Sequence, residues 1–148
     1  MPPTDLPGPL PNGAPAAGCP DPRHALGRLG EELAAAHLGR LGYAVIARNV
    51  RTRHGEIDLI AVRDGTLVFA EVKSARRRGG ARRGGPRVAP LEWLDPRQRA
   101  RLRRLAAAWL GDPARERPAS RTIRFDAIGV IVDERDRLLS LEHLEGAW

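Results

Sequence analysis

Residues 55–73 constrain this chain more than any other stretch. Two apolar runs, 59–62 and 67–70, flank Asp64-Gly65, and polar residues sit at their far ends. Asp-Gly between β-rich segments signals a tight hairpin. With Asp64 and Gly65 as the loop, Arg63 faces Thr66, Val62 faces Leu67, Ile60 faces Phe69, Asp58 faces Glu71 and Glu56 faces Lys73. Side chains alternate along strands, so Glu56, Asp58, Glu71 and Lys73 are expected on one face. Directly opposed residues have Cβ atoms roughly 4.5–5.5 Å apart, where two carboxylates repel. A divalent cation between them removes the conflict, since Mg²⁺ is commonly held by one or two carboxylates with water and substrate phosphate completing its shell. Any one of the four reads as a solvated strand end. All four together read as a site.

Charge points to the partner. The chain has 25 basic and 18 acidic residues, a net charge of +7, which makes a polyanion the first partner to consider. All the basic residues are arginine except Lys73. An ammonium is a compact point charge with three rotatable donors, which a guanidinium fork is not, so a lone lysine two residues from Glu71 stands out. Cys19 is the only cysteine, which excludes an intramolecular disulfide and a multi-cysteine metal site. No apolar run approaches the roughly 20 residues of a membrane span. The N-terminus lacks a basic region followed by an apolar one. A soluble cytoplasmic protein with no membrane partner is the expectation.

Residues 1–22 hold eight of the thirteen prolines and are expected to be a disordered tail. Residues 23–148 form the single folded domain. A helix is expected over about 24–41, with Leu26, Leu29, Leu33, Ala34, His37 and Leu41 on one arc and Glu31 at its edge. Gly42 stops it. Residues 43–47 form a first strand, followed by a polar basic connection containing Arg51, Arg53 and His54. After Lys73 comes a Gly/Arg-rich loop, 75–87. Asp95 and Pro96 then open a second helix with Leu102, Leu105, Ala106 and Trp109 on its apolar stripe. Residues 76–104 carry eleven arginines against Glu92 and Asp95, so the positive charge is localised there. Residues 123–132 read as a central strand, in which Asp126 is either a strand-entry residue or a support for the site. Residues 138–144 read as an edge strand.

This order, together with Asp58, twelve residues, then Glu71-x-Lys73, resembles the restriction-endonuclease-like superfamily, the PD-(D/E)xK nucleases. Within it the chain is most similar to the small bacterial YraN-like family. Gly27-x-x-Gly30-Glu31-x-x-Ala34, Arg48-Asn49, Gly55-Glu56-Ile57-Asp58-Leu59-Ile60 and Leu67-Val68-Phe69-Ala70-Glu71-Val72-Lys73 carry the likeness. The resemblance implies an α/β fold, a restriction-endonuclease-like mixed sheet in the order α-β-β-β-α-β-β flanked by helices. It implies metal-dependent phosphodiester cleavage of nucleic acid, DNA ahead of RNA, with branched or repair-intermediate DNA as a candidate substrate. Mg²⁺ or Mn²⁺ would sit on Asp58 and Glu71, with Glu31 as a further acid from the first helix. Lys73 would position the attacking water, and Glu56 would orient Lys73 or join the metal. Arg51, Arg53, Arg76, Arg77, Arg78, Arg82, Arg83, Arg97, Arg101 and Arg104 would grip flanking phosphates. A homodimer is compatible with this reading, because superfamily members that cut both strands often dimerise. The alternative is a nucleic-acid-binding protein that keeps the fold without turnover, and a third class is an adaptor recruited through the Pro-rich tail.

Overall fold

A computed structural model describes residues 21–77 and 94–147. The tail up to residue 20 and most of the Gly/Arg-rich loop, with Arg78, Arg82 and Arg83, lie outside the described residues.

Both helices start with the same device. Asp21 caps α1 (Pro22–Arg40) by accepting the Arg23 N–H at 2.9 Å, with Pro22 at the first position. Asp95 caps α2 (Pro96–Leu110) by accepting the Gln98 N–H at 2.9 Å, with Pro96 at the first position. The first helix therefore begins two residues before His24. Gly42 ends it with φ of 86°, a conformation open to glycine at no steric cost.

Five strands follow in sheet order: β1 (Ala44–Thr52), β2 (Gly55–Arg63), β3 (Thr66–Arg76), β4 (Thr122–Val132) and β5 (Leu138–Leu144). All neighbours are antiparallel except β3 and β4, which are parallel and joined by the connection that contains α2. The order α-β-β-β-α-β-β is the expected one. So is the place of β4 between β3 and β5, with β5 at an edge. The first strand is longer than residues 43–47, because Arg48, Val50, Arg51 and Thr52 also pair with β2. Its period-2 pattern is broken by a bulge between Val45 and Ala47 and by Asn49 at φ 47°. An edge strand can leave polar side chains in water, so polarity did not prevent pairing.

Each helix covers one face of the sheet. Ala34, Ala35 and Leu38 of α1 pack with Leu59, Val68, Ala70 and Ile128. Leu102, Leu105, Ala106 and Trp109 of α2 pack with Ile57, Ile60, Leu67 and Phe69 on the other face. The α2 stripe is the expected one. The α1 arc packs on its own face of the sheet through Leu26, Leu29, Leu33 and Ala34, but its deepest row is Gly30, Ala34 and Leu38, spaced i,i+4, and Leu41 is 39% exposed. Small residues on that row let the helix approach closely. A Cβ on Gly30 would overlap Ser74 Oγ and lie 2.9 Å from Ser74 Cβ.

Gly30→Ala is therefore expected to lower stability by about 1–3 kcal/mol through overpacking, although helix propensity alone favours alanine by about 1 kcal/mol. Urea unfolding measures it. Adding Ser74→Gly should restore part of the loss; an alanine variant as stable as the wild type would remove the contact from the account. None of the described helices is long and apolar enough to cross a membrane.

Candidate metal and phosphate site

The hairpin has the expected register over its closed part. Arg63 pairs with Thr66, Val62 with Leu67 and Ile60 with Phe69. Asp64 at φ 49° and Gly65 at φ 74° are both left-handed, as a two-residue turn of this kind requires. The last pair is Leu59 with Ala70. Beyond it the strands part, so Asp58 is not laddered to Glu71, nor Glu56 to Lys73. β3 continues beside β4 alone, with Glu71 next to Ala127 and Lys73 next to Gly129. A side chain takes over where the β2 backbone has left: Val72 N–H donates to Asp58 Oδ2 at 2.7 Å.

Strict alternation also breaks at this point. Ile57 would share a face with Leu59, yet it packs with Ile60 and Val50 in the α2 cluster. Across the strand pair, Asn49 has positive φ. Asp58 sits in this break and faces a cleft of about 310 Å³ lined by Glu31, Glu71, Lys73, Ser74 and Arg23. Glu56 is elsewhere. Its backbone partner is Arg51, and the two side chains form an exposed ion pair at 3.6 Å. The expectation that Glu56 lies beside Lys73 is corrected by the same parting of the strands.

The cleft is rich in negative charge. Lys73 Nζ donates to Glu71 Oε1 at 2.6 Å. Asp58 is pushed up to about 7, first by burial, then by the Glu71 charge, with Glu31 adding to the rise; the Val72 N–H and Lys73 only partly offset it. One ammonium and the Arg23 guanidinium thus stand against three carboxyl groups. Glu31 Oε2 accepts from Asn49 Nδ2 at 2.5 Å, which links the first helix to β1 at the break. Among the described residues, no three His, Cys, Asp or Glu side chains are close enough to hold one metal ion. The expected set of Asp58, Glu71 and Glu31 is therefore reduced to a pair, with Glu31 turned to Asn49.

The pair still fits a hard divalent cation. Asp58 Oδ2 and Glu71 Oε1 are engaged by Val72 N–H and Lys73. Asp58 Oδ1 and Glu71 Oε2 have no hydrogen-bond partner among the described residues. Two anionic oxygens in one cleft are the donor type Mg²⁺ takes, with water and phosphate filling the remaining positions. His and Cys, which a softer metal would favour, do not line the cleft.

The arginines divide into groups. Arg51, Arg53 and Arg104 converge with His54 and Arg115 on a separate groove of about 680 Å³. Arg101 lies over Gly55, where its Nη2 would be 2.6 Å from an added Cβ. Arg97 is exposed on the first turn of α2. Arg76 forms an ion pair with Asp136 at 2.5 Å, and Arg77 N–H donates to the Val132 carbonyl at the end of β3. Asp126 does not support the cleft. It is fully buried with Arg124 and His143. Arg23 and Arg115 carry no sequence signal that separates them from the other arginines. Asn49 had one, its place in the Arg48-Asn49 block, but its contact with Glu31 depends on the left-handed kink.

Residues 30–130 match the model of the uncharacterised protein family UPF0102. A UPF0102 protein of Acidothermus cellulolyticus is 44% identical over 140 residues, covering 89% of this chain and 99% of the relative. One from Moorella thermoacetica is 40% identical over 126 residues, covering 85% and 97%. One from Mycobacterium avium is 44% identical over 126 residues, covering 84% and 90%. The match takes in α1 from Gly30, the hairpin with Asp58, Glu71 and Lys73, α2 and most of β4, and on it this chain belongs to the YraN-like family UPF0102.

Proposed function

We propose that the protein is a metal-dependent phosphodiesterase acting on nucleic acid, DNA ahead of RNA, built on a restriction-endonuclease-like fold. The observation that carries this reading is the Asp58–Glu71 pair. Two carboxylates share a cleft where the strands have parted, each keeps one oxygen without a hydrogen bond, and a lysine lies against one of them. Two crowded carboxylates cost stability without a cation, apart from the one contact by which Asp58 caps the Val72 N–H.

Asp58 and Glu71 would hold Mg²⁺ or Mn²⁺, which when bound makes water acidic and draws charge from a phosphate. Val72 N–H fixes the Asp58 carboxylate through Oδ2, which would leave Oδ1 available to a cation. Lys73 keeps two further N–H donors beyond its bond to Glu71. One orients the attacking water, and the other stabilises charge developing on the phosphoryl oxygens. The water oxygen joins phosphorus as the opposite P–O bond breaks, the water's proton passes to solvent, and the leaving alkoxide oxygen takes a proton from solvent. Glu31, braced by Asn49, borders the cleft from α1.

Nicking of supercoiled, branched and linear DNA with Mg²⁺ or Mn²⁺ tests this. Asp58→Ala, Glu71→Ala and Lys73→Ala are each expected to slow cleavage at least about 100-fold, the size of effect seen when a transition-state contact is removed. Cleavage that persists unchanged in both carboxylate variants would end the assignment.

A further inference from the structure

The groove of about 680 Å³ has about twice the volume of the carboxylate cleft and lies on the opposite side of the sheet, against α2. Arg51, Arg53, Arg104 and Arg115 line it, and Asp112 is its one carboxylate. That carboxylate is already satisfied. Its oxygens accept from Arg115 Nε at 2.9 Å and from the Ala114 N–H at 3.0 Å. Arg115 is braced in turn by the Arg51 carbonyl at 3.3 Å. The Arg51 side chain is 90% exposed, and among the described residues its only ion pair is the long one to Glu56. Ala107, Ala108, Trp109 and Gly111 also line the groove and make up its apolar floor.

Several guanidinium groups around a shallow apolar floor, with their one carboxylate spent, match a row of phosphates. We infer that this groove binds a nucleic-acid strand through its phosphates and needs no metal to do so. The turn between β1 and β2 carries Arg53 and His54 of the groove and leads into β2, where Asp58 lies four residues beyond His54. A strand passing between the sites rounds this turn. That path rests on the nuclease reading; binding in the groove does not.

The test is binding of a short fluorescein-labelled DNA duplex in EDTA across a salt series. The combined Arg51→Ala, Arg104→Ala and Arg115→Ala variant is expected to bind at least tenfold more weakly. Its plot of log affinity against log salt should flatten by about 0.9 per lost phosphate contact. Loss of Arg115 also removes a structural brace, so Ala107→Glu is the second variant. Residue 107 is exposed on a helix that tolerates glutamate, and the new carboxylate enters the floor with every arginine in place. It too should weaken binding several-fold. Wild-type affinity and slope in both variants would overturn the inference, as would capture by phosphatidylserine vesicles without any DNA binding. Groove-dependent binding by a protein that cleaves nothing would count against the nuclease reading alone. Cleavage with groove-independent binding would count against the groove alone.

Discussion

Asp58→Asn is expected to make the protein more stable above pH 7 and to remove its stabilisation by Mg²⁺. The Asp58 carboxyl goes from 3.8 to about 7 on folding, through burial and then the Glu71 charge. Between those values the native state binds more protons than the unfolded chain, so stability falls as pH rises from about 4 to about 7. At pH 8 the folded protein carries the full cost of a buried, crowded carboxylate, which the shift sets at about 4 kcal/mol as an upper bound. Solvent in the open cleft reduces the measured gain of the variant to about 1–3 kcal/mol, or several degrees in Tm. Asparagine still accepts from the Val72 N–H, so the local brace is kept. Mg²⁺ at 100 times its Kd would stabilise the wild type by about 2.7 kcal/mol. Thermal unfolding of both proteins at pH 5 and pH 8, with and without Mg²⁺, separates the terms. A variant less stable at pH 8, or equally stabilised by Mg²⁺, would mean that Asp58 serves packing rather than a cation. The expected trade of stability for a charged site is a common feature of functional centres.

The second large effect is at Asp126. Its carboxylate is fully buried and accepts from Arg124 Nε and Nη2, both at 2.8 Å, His143 Nε2 at 2.9 Å and the Gly146 N–H at 3.0 Å. Arg124 also reaches Tyr43, and His143 Nδ1 meets His37 Nε2 at 3.2 Å. The network ties β4, β5, α1 and the start of β1. A neutral His143 that donates from Nε2 to Asp126 can accept from His37 at Nδ1, so one tautomer serves both contacts. Burial on its own would raise the Asp126 carboxyl; His143, Arg124 and the Gly146 N–H outweigh it and hold it below the ordinary value. Asp126→Ala removes the shared acceptor of Arg124, His143 and the Gly146 N–H, leaving half-buried Arg124 with only Tyr43 and Glu145 among the described residues, and should cost about 3–5 kcal/mol, read from the urea midpoint. The contribution is present above the unfolded pKa and is lost as pH falls through the lower folded one. The gap between wild type and variant should therefore narrow below about pH 4. An equal gap at all pH values would assign the loss to packing, not charge.

These two aspartates mark where reading the sequence succeeds and where it stops. Asp58 was identified because hairpin register is local: Asp64-Gly65 sets the turn, and the pairs up to Leu59 and Ala70 follow from counting. Asp126 looked like a strand-entry residue or a support for the site. Of its partners, Arg124 is two residues away, but His143 and Gly146 are 17 and 20 residues away, beyond the reach of any local pattern. Glu56 was placed beside Lys73 by extending the register past the point where the strands part, and alternation cannot reveal that break. The expected α1 arc packs on the core through Leu26, Leu29, Leu33 and Ala34, but the closest approach is made at Gly30 and Ala34, which carry little hydrophobic signal.

Local chemistry by itself determined the Asp95-Pro96 helix start, the α2 stripe, the hairpin turn and the pairing of a lone lysine with Glu71, since each depends on neighbours a few residues apart. Only the tertiary structure decided that Asp58 replaces a ladder partner, that Glu31 turns to Asn49, and that Arg51, Arg53, Arg104 and Arg115 share a groove on the other face. Those arrangements depend on where β2 leaves β3 and how closely each helix packs, and that is set by the whole core.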